Sequence, residues 1–191
     1  MQRDLGTPTR EVHEHARDVL DFWFALSTEQ QFAKNADLDR AIAERFGLLR
    51  DEVKASGAAE WRDDPDALLA AIILLDQFSR NLHRGSAEAY AADDLAVSLT
   101  LAGIANGWEE HYSPERRVFL YMPLMHAEDA RLQDLSVRKY EALGIEKNLR
   151  FARDHRDVIA RYGRFPSRNA ALNRASTPEE LDYLSRPDAG W

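Results

Sequence analysis

The chain has 191 residues, of which 45% are hydrophobic and 30% charged, the length and mixture of one ordinary globular domain. It contains no cysteine, which excludes disulfides, thiolate metal sites and a cysteine nucleophile. Its 33 acidic and 25 basic residues give a net charge of −8, which argues against a nucleic-acid partner but leaves room for a local basic pocket.

The opening Met1-Gln2-Arg3-Asp4-Leu5-Gly6 has no apolar signal core, and no window approaches the ~20 apolar residues of a membrane span. A cytoplasmic protein without a membrane partner is therefore expected. From there on, apolar residues recur at spacings of three and four. Val12, Ala16, Val19, Trp23 and Leu26 form a first stripe, and Leu38, Ile42, Phe46, Leu49 and Val53 a second. Leu149, Ala152, His155, Ile159 and Tyr162 trace another. Such spacing is helical, and no stretch alternates as a strand does. The pattern predicts a single all-α domain over 1–191, an antiparallel array of about eight helices near 10–25, 37–56, 65–80, 87–106, 114–122, 126–143, 147–162 and 178–186.

Local punctuation agrees. Asp64-Pro65, Ser113-Pro114 and Thr177-Pro178 each place a capping side chain before a proline at the first helical position, and Thr177 with Glu180 completes a capping box. Gly57, Gly85, Gly107, Gly144 and Gly163 fall where stripes end. Pro123 is expected to break the chain between the fifth and sixth helices.

Three groups stand out chemically. Asp76 follows Ile72, Ile73 and Leu75, which puts a carboxylate at the edge of a core face, with Arg80 four residues on in the favourable acid-before-base order. Glu128, read as helical, shares a face with Leu132 and Leu135. His155 sits inside its apolar stripe, where a satisfied core histidine is expected. A buried charge needs a partner. The nearest cations are Arg80, Arg84, Arg164, Arg168 and Arg174, which flank two similar loops carrying Arg80-Asn81 and Arg168-Asn169. These residues are expected to converge into one polar network with Asp76 and Glu128.

That network has two readings. The asparagines cap helix ends and the arginines form a structural clasp; or the arginine forks grip a small anion or the carboxylate of a peptide bidentately. A third possibility is a small-molecule enzyme, hydrolase-like, with His126 and Glu128 as an acid–base pair. Two residues apart on a helix they do not face each other, which weakens it. With no His-Glu-x-x-His and no paired Glu-x-x-His, neither a metal nor a cofactor is expected. Phe22-Trp23-Phe24 covers more than one helix face, as in a helix buried among others, and Trp61 and Trp108 are expected to pack near loops.

Several of these pieces occur together in one family. Val19-Leu20-Asp21-Phe22-Trp23-Phe24, Leu75-Asp76-Gln77-Phe78-Ser79-Arg80-Asn81, Arg84-Gly85, the run from Tyr121 to Glu128, Gly163-Arg164-Phe165-Pro166-Ser167-Arg168-Asn169 and the run from Arg174 to Glu180 resemble the bacterial family known as domain of unknown function 924. The resemblance spans nearly the whole chain. It implies a tetratricopeptide-like antiparallel helical fold and carries no activity. The chain departs from the family pattern at Ser79, usually proline, at Ser167, usually histidine, and at Ala127, usually serine.

Overall fold

The computed structural model describes residues 7–187 and 189–190. The opening Met1–Gly6 lies outside the described residues. Among those residues the protein is helix and turn, without strands. Nine helices follow in order: α1 (Thr7–Phe24), α2 (Thr28–Phe32), α3 (Ala36–Ala55), α4 (65–82), α5 (Asp93–Ala105), α6 (Pro114–His126), α7 (Ala130–Leu143), α8 (Glu146–Tyr162) and α9 (Pro178–Leu184). None is long and apolar enough to cross a membrane.

The expected caps are in place. The Asp64 carboxylate accepts from the Ala67 amide, Ser113 accepts from Arg116, and Thr177 and Glu180 form the reciprocal capping box. Gly144 and Gly163 close α7 and α8 with φ of 74° and 69°, a left-handed turn that only glycine adopts cheaply.

Three boundaries differ from expectation. The helix expected from residue 87 begins at Asp93, because Ala87–Ala89 form a 3-10 turn. Pro123 does not end α6, which continues to His126. Pro123 deprives the Phe119 carbonyl of its amide partner. The flanking carbonyls are reinforced from outside: Thr100 Oγ1 donates to Leu120 O at 2.9 Å and the Tyr140 hydroxyl to Val118 O at 2.7 Å. Glu128 is not on a helix face. It lies in the connection between α6 and α7, where Asp129 caps α7 by accepting from the Arg131 and Leu132 amides.

Helix α4 is the axis of the fold. It starts as α-helix (Pro65–Ile72), widens into a π-helical segment (Ile73–Phe78) and closes with an α turn (Ser79–Leu82). Every residue from Ala67 to Ser79 is buried. Helices α1, α3, α5 and α6 enclose it, and α6, α7 and α8 then pack as successive hairpins. Trp23 of α1 is fully buried, edge-on to Phe78 and Phe119 with ring centroids 5.5 Å from each. A helix buried all round has no solvent face on which to place a polar group, so each polar residue in it requires an internal partner. Asp76 and Gln77, both in the π segment, are such residues.

Candidate functional site

The π segment turns Asp76 toward the C-terminal end of α6. The carboxylate is 1% exposed and fully occupied. Oδ1 accepts from His126 Nδ1 at 2.8 Å and forms an ion pair with Arg80 Nη1 at 3.0 Å, a nitrogen that donates to the Asp76 backbone carbonyl at 2.8 Å, while Oδ2 accepts from Gln77 Nε2 at 2.5 Å. Burial pushes this carboxyl up, but Arg80 and His126 outweigh it and hold Asp76 well below the usual carboxylate range. Asp76 is therefore ionised.

Arg80 also grips Asp93 of α5 with two nitrogens, each 3.0 Å from a carboxylate oxygen. Asp93 receives a second arginine. Arg168, from the loop after α8, donates to it at 3.1 Å and to the His126 backbone carbonyl at 2.7 Å. The Arg168 guanidinium lies between two rings, 4.6 Å from the Tyr90 centroid and 4.7 Å from that of Phe165. Stacking of this kind holds a planar cation in one orientation and leaves its edge available.

A cavity of about 430 Å³ opens beside this cluster. Its lining includes the buried Gln77, Met122, His155, Phe165 and Arg168 and the half-buried Tyr90 and His126, and Phe32, Lys34, Arg84 and Ser167 form its exposed mouth. Arg80, Arg84, Arg168 and Lys34 all line it, and among the described residues no carboxylate does. The balancing acids stand behind the wall: Asp76 and Asp93 as above, and Asp39 of α3, which accepts from Arg84 at 2.7 and 2.9 Å and from Asn81 at 2.7 Å.

The two histidines differ in role. Burial pushes His126 down, and the nearby Arg80 charge adds to that, against the upward pull of Asp76; the net shift is downward, so the ring is neutral at pH 7. His155 is buried, hydrogen-bonds through Nδ1 to the Phe151 carbonyl at 2.8 Å, and is pushed down by burial to about 3. It is the expected core histidine, with one side on the cavity.

The expected single network divides. Asp76, Arg80, Asn81, Arg84, Arg168 and His126 gather at the cavity. Glu128, Arg164, Asn169 and Arg174 do not line it. They form a separate clasp, because the Glu128 carboxylate turns toward the loop after α8. It accepts from Arg174 at 2.6 and 2.9 Å and from the Phe165 amide at 2.7 Å. Arg164 grips Glu180 at 2.7 and 2.9 Å, and Asn169 bridges Glu180 and Arg174. The acid–base pairing of His126 with Glu128 is thereby corrected: the carboxylate on His126 is Asp76, 50 residues away in sequence. Among the described residues, no group of three or more histidine and acidic side chains is arranged to hold a metal ion.

Sequence reasoning missed Asp93, Asp39, Tyr90 and Lys34. Asp93 and Asp39 carry only the signature of acids in a first helical turn, which the helix dipole alone explains.

The comparisons agree with this architecture. A family model described as a bacterial protein of unknown function (DUF924) matches residues 19–188. A solved structure, that of the protein of unknown function ATU0120 from Agrobacterium tumefaciens, is 37% identical in sequence with a TM-score of 0.87, covering 91% of this chain and 98% of that one. No curated protein matches the chain.

Proposed function

The chain belongs to the DUF924 family, and we propose that it binds a small organic anion in the cavity beside Arg168. The observation that carries the reading is the sign of the wall. Four cationic side chains face a cavity that no carboxylate among the described residues lines, in a protein whose net charge is −8. A random sample of this surface would be acidic. The volume suits a small molecule or the end of a peptide, and aromatic rings beside cations suit a carboxylate attached to an apolar body. A cytoplasmic setting is part of the same proposal.

Arg168 is the central contact. A guanidinium has five N–H donors, and two are committed here, to Asp93 and to the His126 carbonyl. The remaining donors fit an anionic oxygen of the ligand. Glu128, Arg164, Asn169 and Arg174 support a second reading for their own part of the cluster, that of a purely structural clasp, since each is satisfied away from the cavity, Arg164 by Glu180 and the other three through Arg174.

The test is a thermal-shift series with benzoate, citrate and inorganic phosphate on the wild type, Arg84→Gln and Arg168→Lys. An anion present at 100 times its dissociation constant stabilises by about 2.7 kcal/mol, or on the order of 5–10 °C for a domain of this size. The shift should shrink in both variants. No stabilisation by any of the three anions, or a shift as large in both variants as in the wild type, overturns the proposal.

A further inference from the structure

We propose that His126, oriented by Asp76, is the proton acceptor that activates water for hydrolysis of an ester-linked organic anion held in this cavity. The proposal rests on the anion-binding reading and adds a reaction to it.

The tautomer follows from the partner. An ionised carboxylate only accepts, so the proton between Asp76 and His126 belongs to Nδ1. Nε2 then carries the lone pair. No group among the described residues hydrogen-bonds to it, and His126 lines the cavity with 16% of its side chain exposed. A neutral imidazole that lines a cavity, with Nδ1 on a buried carboxylate and Nε2 without a partner among the described residues, is arranged as a general base. When Nε2 takes a proton, the imidazolium forms against the Asp76 carboxylate, so the charge appears where it is already balanced.

The nucleophile follows from what surrounds the ring. No serine, threonine or tyrosine hydroxyl among the described residues is hydrogen-bonded to His126, so no side chain is poised to be activated. Water is available, because Phe32, Lys34, Arg84 and Ser167 at the mouth are exposed. The oxyanion donor is Arg168, which lines the same cavity and whose Nη2 already donates to the His126 carbonyl, and the ester's own carboxylate falls to Arg84 and Lys34 at the mouth. That bond ties base and oxyanion donor to one another. A tetrahedral acyl intermediate presents one oxyanion, which a fixed guanidinium edge stabilises.

The step is balanced as follows. A water O–H bond breaks, its proton goes to Nε2, and its oxygen bonds the ester carbonyl carbon. The carbonyl electron pair moves onto oxygen, where Arg168 N–H groups hold it. Collapse of this intermediate restores the carbonyl and breaks the bond to the alkoxy or phenoxy leaving group, which takes the proton back from Nε2. The products are a carboxylic acid and an alcohol or phenol, and His126 returns to its starting state. His155, whose ring centroid is 6.1 Å from that of His126, stays neutral and adds no repulsion to the imidazolium.

The test uses 4-acetoxybenzoate, an anionic ester, with its neutral methyl ester as control, and follows release of the phenol. The wild type should cleave the anionic ester in preference to the neutral one. His126→Ala should lose on the order of 100-fold or more in rate. In Asp76→Asn the midpoint of the pH–rate profile should fall, because the carboxylate that stabilises the imidazolium is gone; a merely structural role would lower the rate without moving the profile. Should Asp76→Asn fail to fold, ¹⁵N NMR of the wild-type imidazole decides the point, and a proton found on Nε2 overturns the proposal. Cleavage unchanged in His126→Ala overturns it too. Stabilisation by benzoate without cleavage of the ester removes the hydrolytic step and leaves the binding reading; absence of both removes both.

Discussion

Replacing Arg174 with alanine isolates the clasp from the cavity. Arg174 donates to both Glu128 oxygens at 2.6 and 2.9 Å, to the Phe165 carbonyl at 3.1 Å and to Asn169 at 3.0 Å. The paired side chains are 23% and 24% exposed, which places them between two limits. An exposed pair is worth about 0–1 kcal/mol, and stranding one member of a fully buried pair costs about 3–5 kcal/mol. Glu128 keeps its bond to the Phe165 amide, and water reaches part of it, so a loss of about 2–3 kcal/mol is expected. For a domain of this length that is a fall of roughly 4–12 °C in Tm. The sign with pH is fixed by Glu128. Burial raises its carboxyl, but Arg174 and the Phe165 amide prevail and lower it. A depressed carboxyl adds stability above its ordinary value of 4.5, and that contribution is lost as pH falls through the lower folded value. In Arg174→Ala that contribution is absent, so the acid limb should be shallower and the Tm gap to the wild type should narrow as pH falls below 4.5. Differential scanning calorimetry from pH 7 down to the acid limb measures both effects. A Tm change under about 1 °C, or an unchanged acid limb, refutes the clasp. Since Arg174 does not line the cavity, the benzoate shift should survive the substitution.

Ser79→Ala should cost about 1–3 kcal/mol in urea unfolding, since the Ser79 hydroxyl accepts from the fully buried Arg50 Nε at 2.9 Å and its loss strands that donor; a change within error would mean the two groups are not coupled. Gly144→Ala should destabilise by about 1 kcal/mol at φ 74° without steric contact, because no atom lies within 4 Å of the added Cβ; a neutral result would show that the turn relaxes.

Much of the helical frame was legible because its signals are local. Asp64, Ser113 and Thr177 accept hydrogen bonds from amides three residues away, and the stripes of α1, α3 and α8 are periodic within a few turns. Asp76 could be placed because its apolar neighbours face inward. Glu128 was misplaced because the spacing to Leu132 and Leu135 outweighed a cap signal at Asp129, which marks the true start of α7. Pro123 was overweighted: the tertiary hydroxyls of Thr100 and Tyr140 that reinforce α6 around it carry no sequence mark. The division of the arginines between cavity and clasp was not legible at all. Arg168 and its acid Asp93 are 75 residues apart, and nothing near either residue names the other.

A π turn holds about one residue more than an α turn, so the Ile73–Phe78 segment acts as slack inside an enclosed rod. Removing one residue there would let the rod tighten into a regular α-helix with its two ends still seated in the core. The side chains within the segment would then be re-aimed about the axis, and Asp76 would lose its place behind the cavity wall, against His126 and Arg80. The site and the extra residue in the rod thus come as a unit, and a length change of one amino acid within α4 separates a chain that packs from a chain that has a cavity wall.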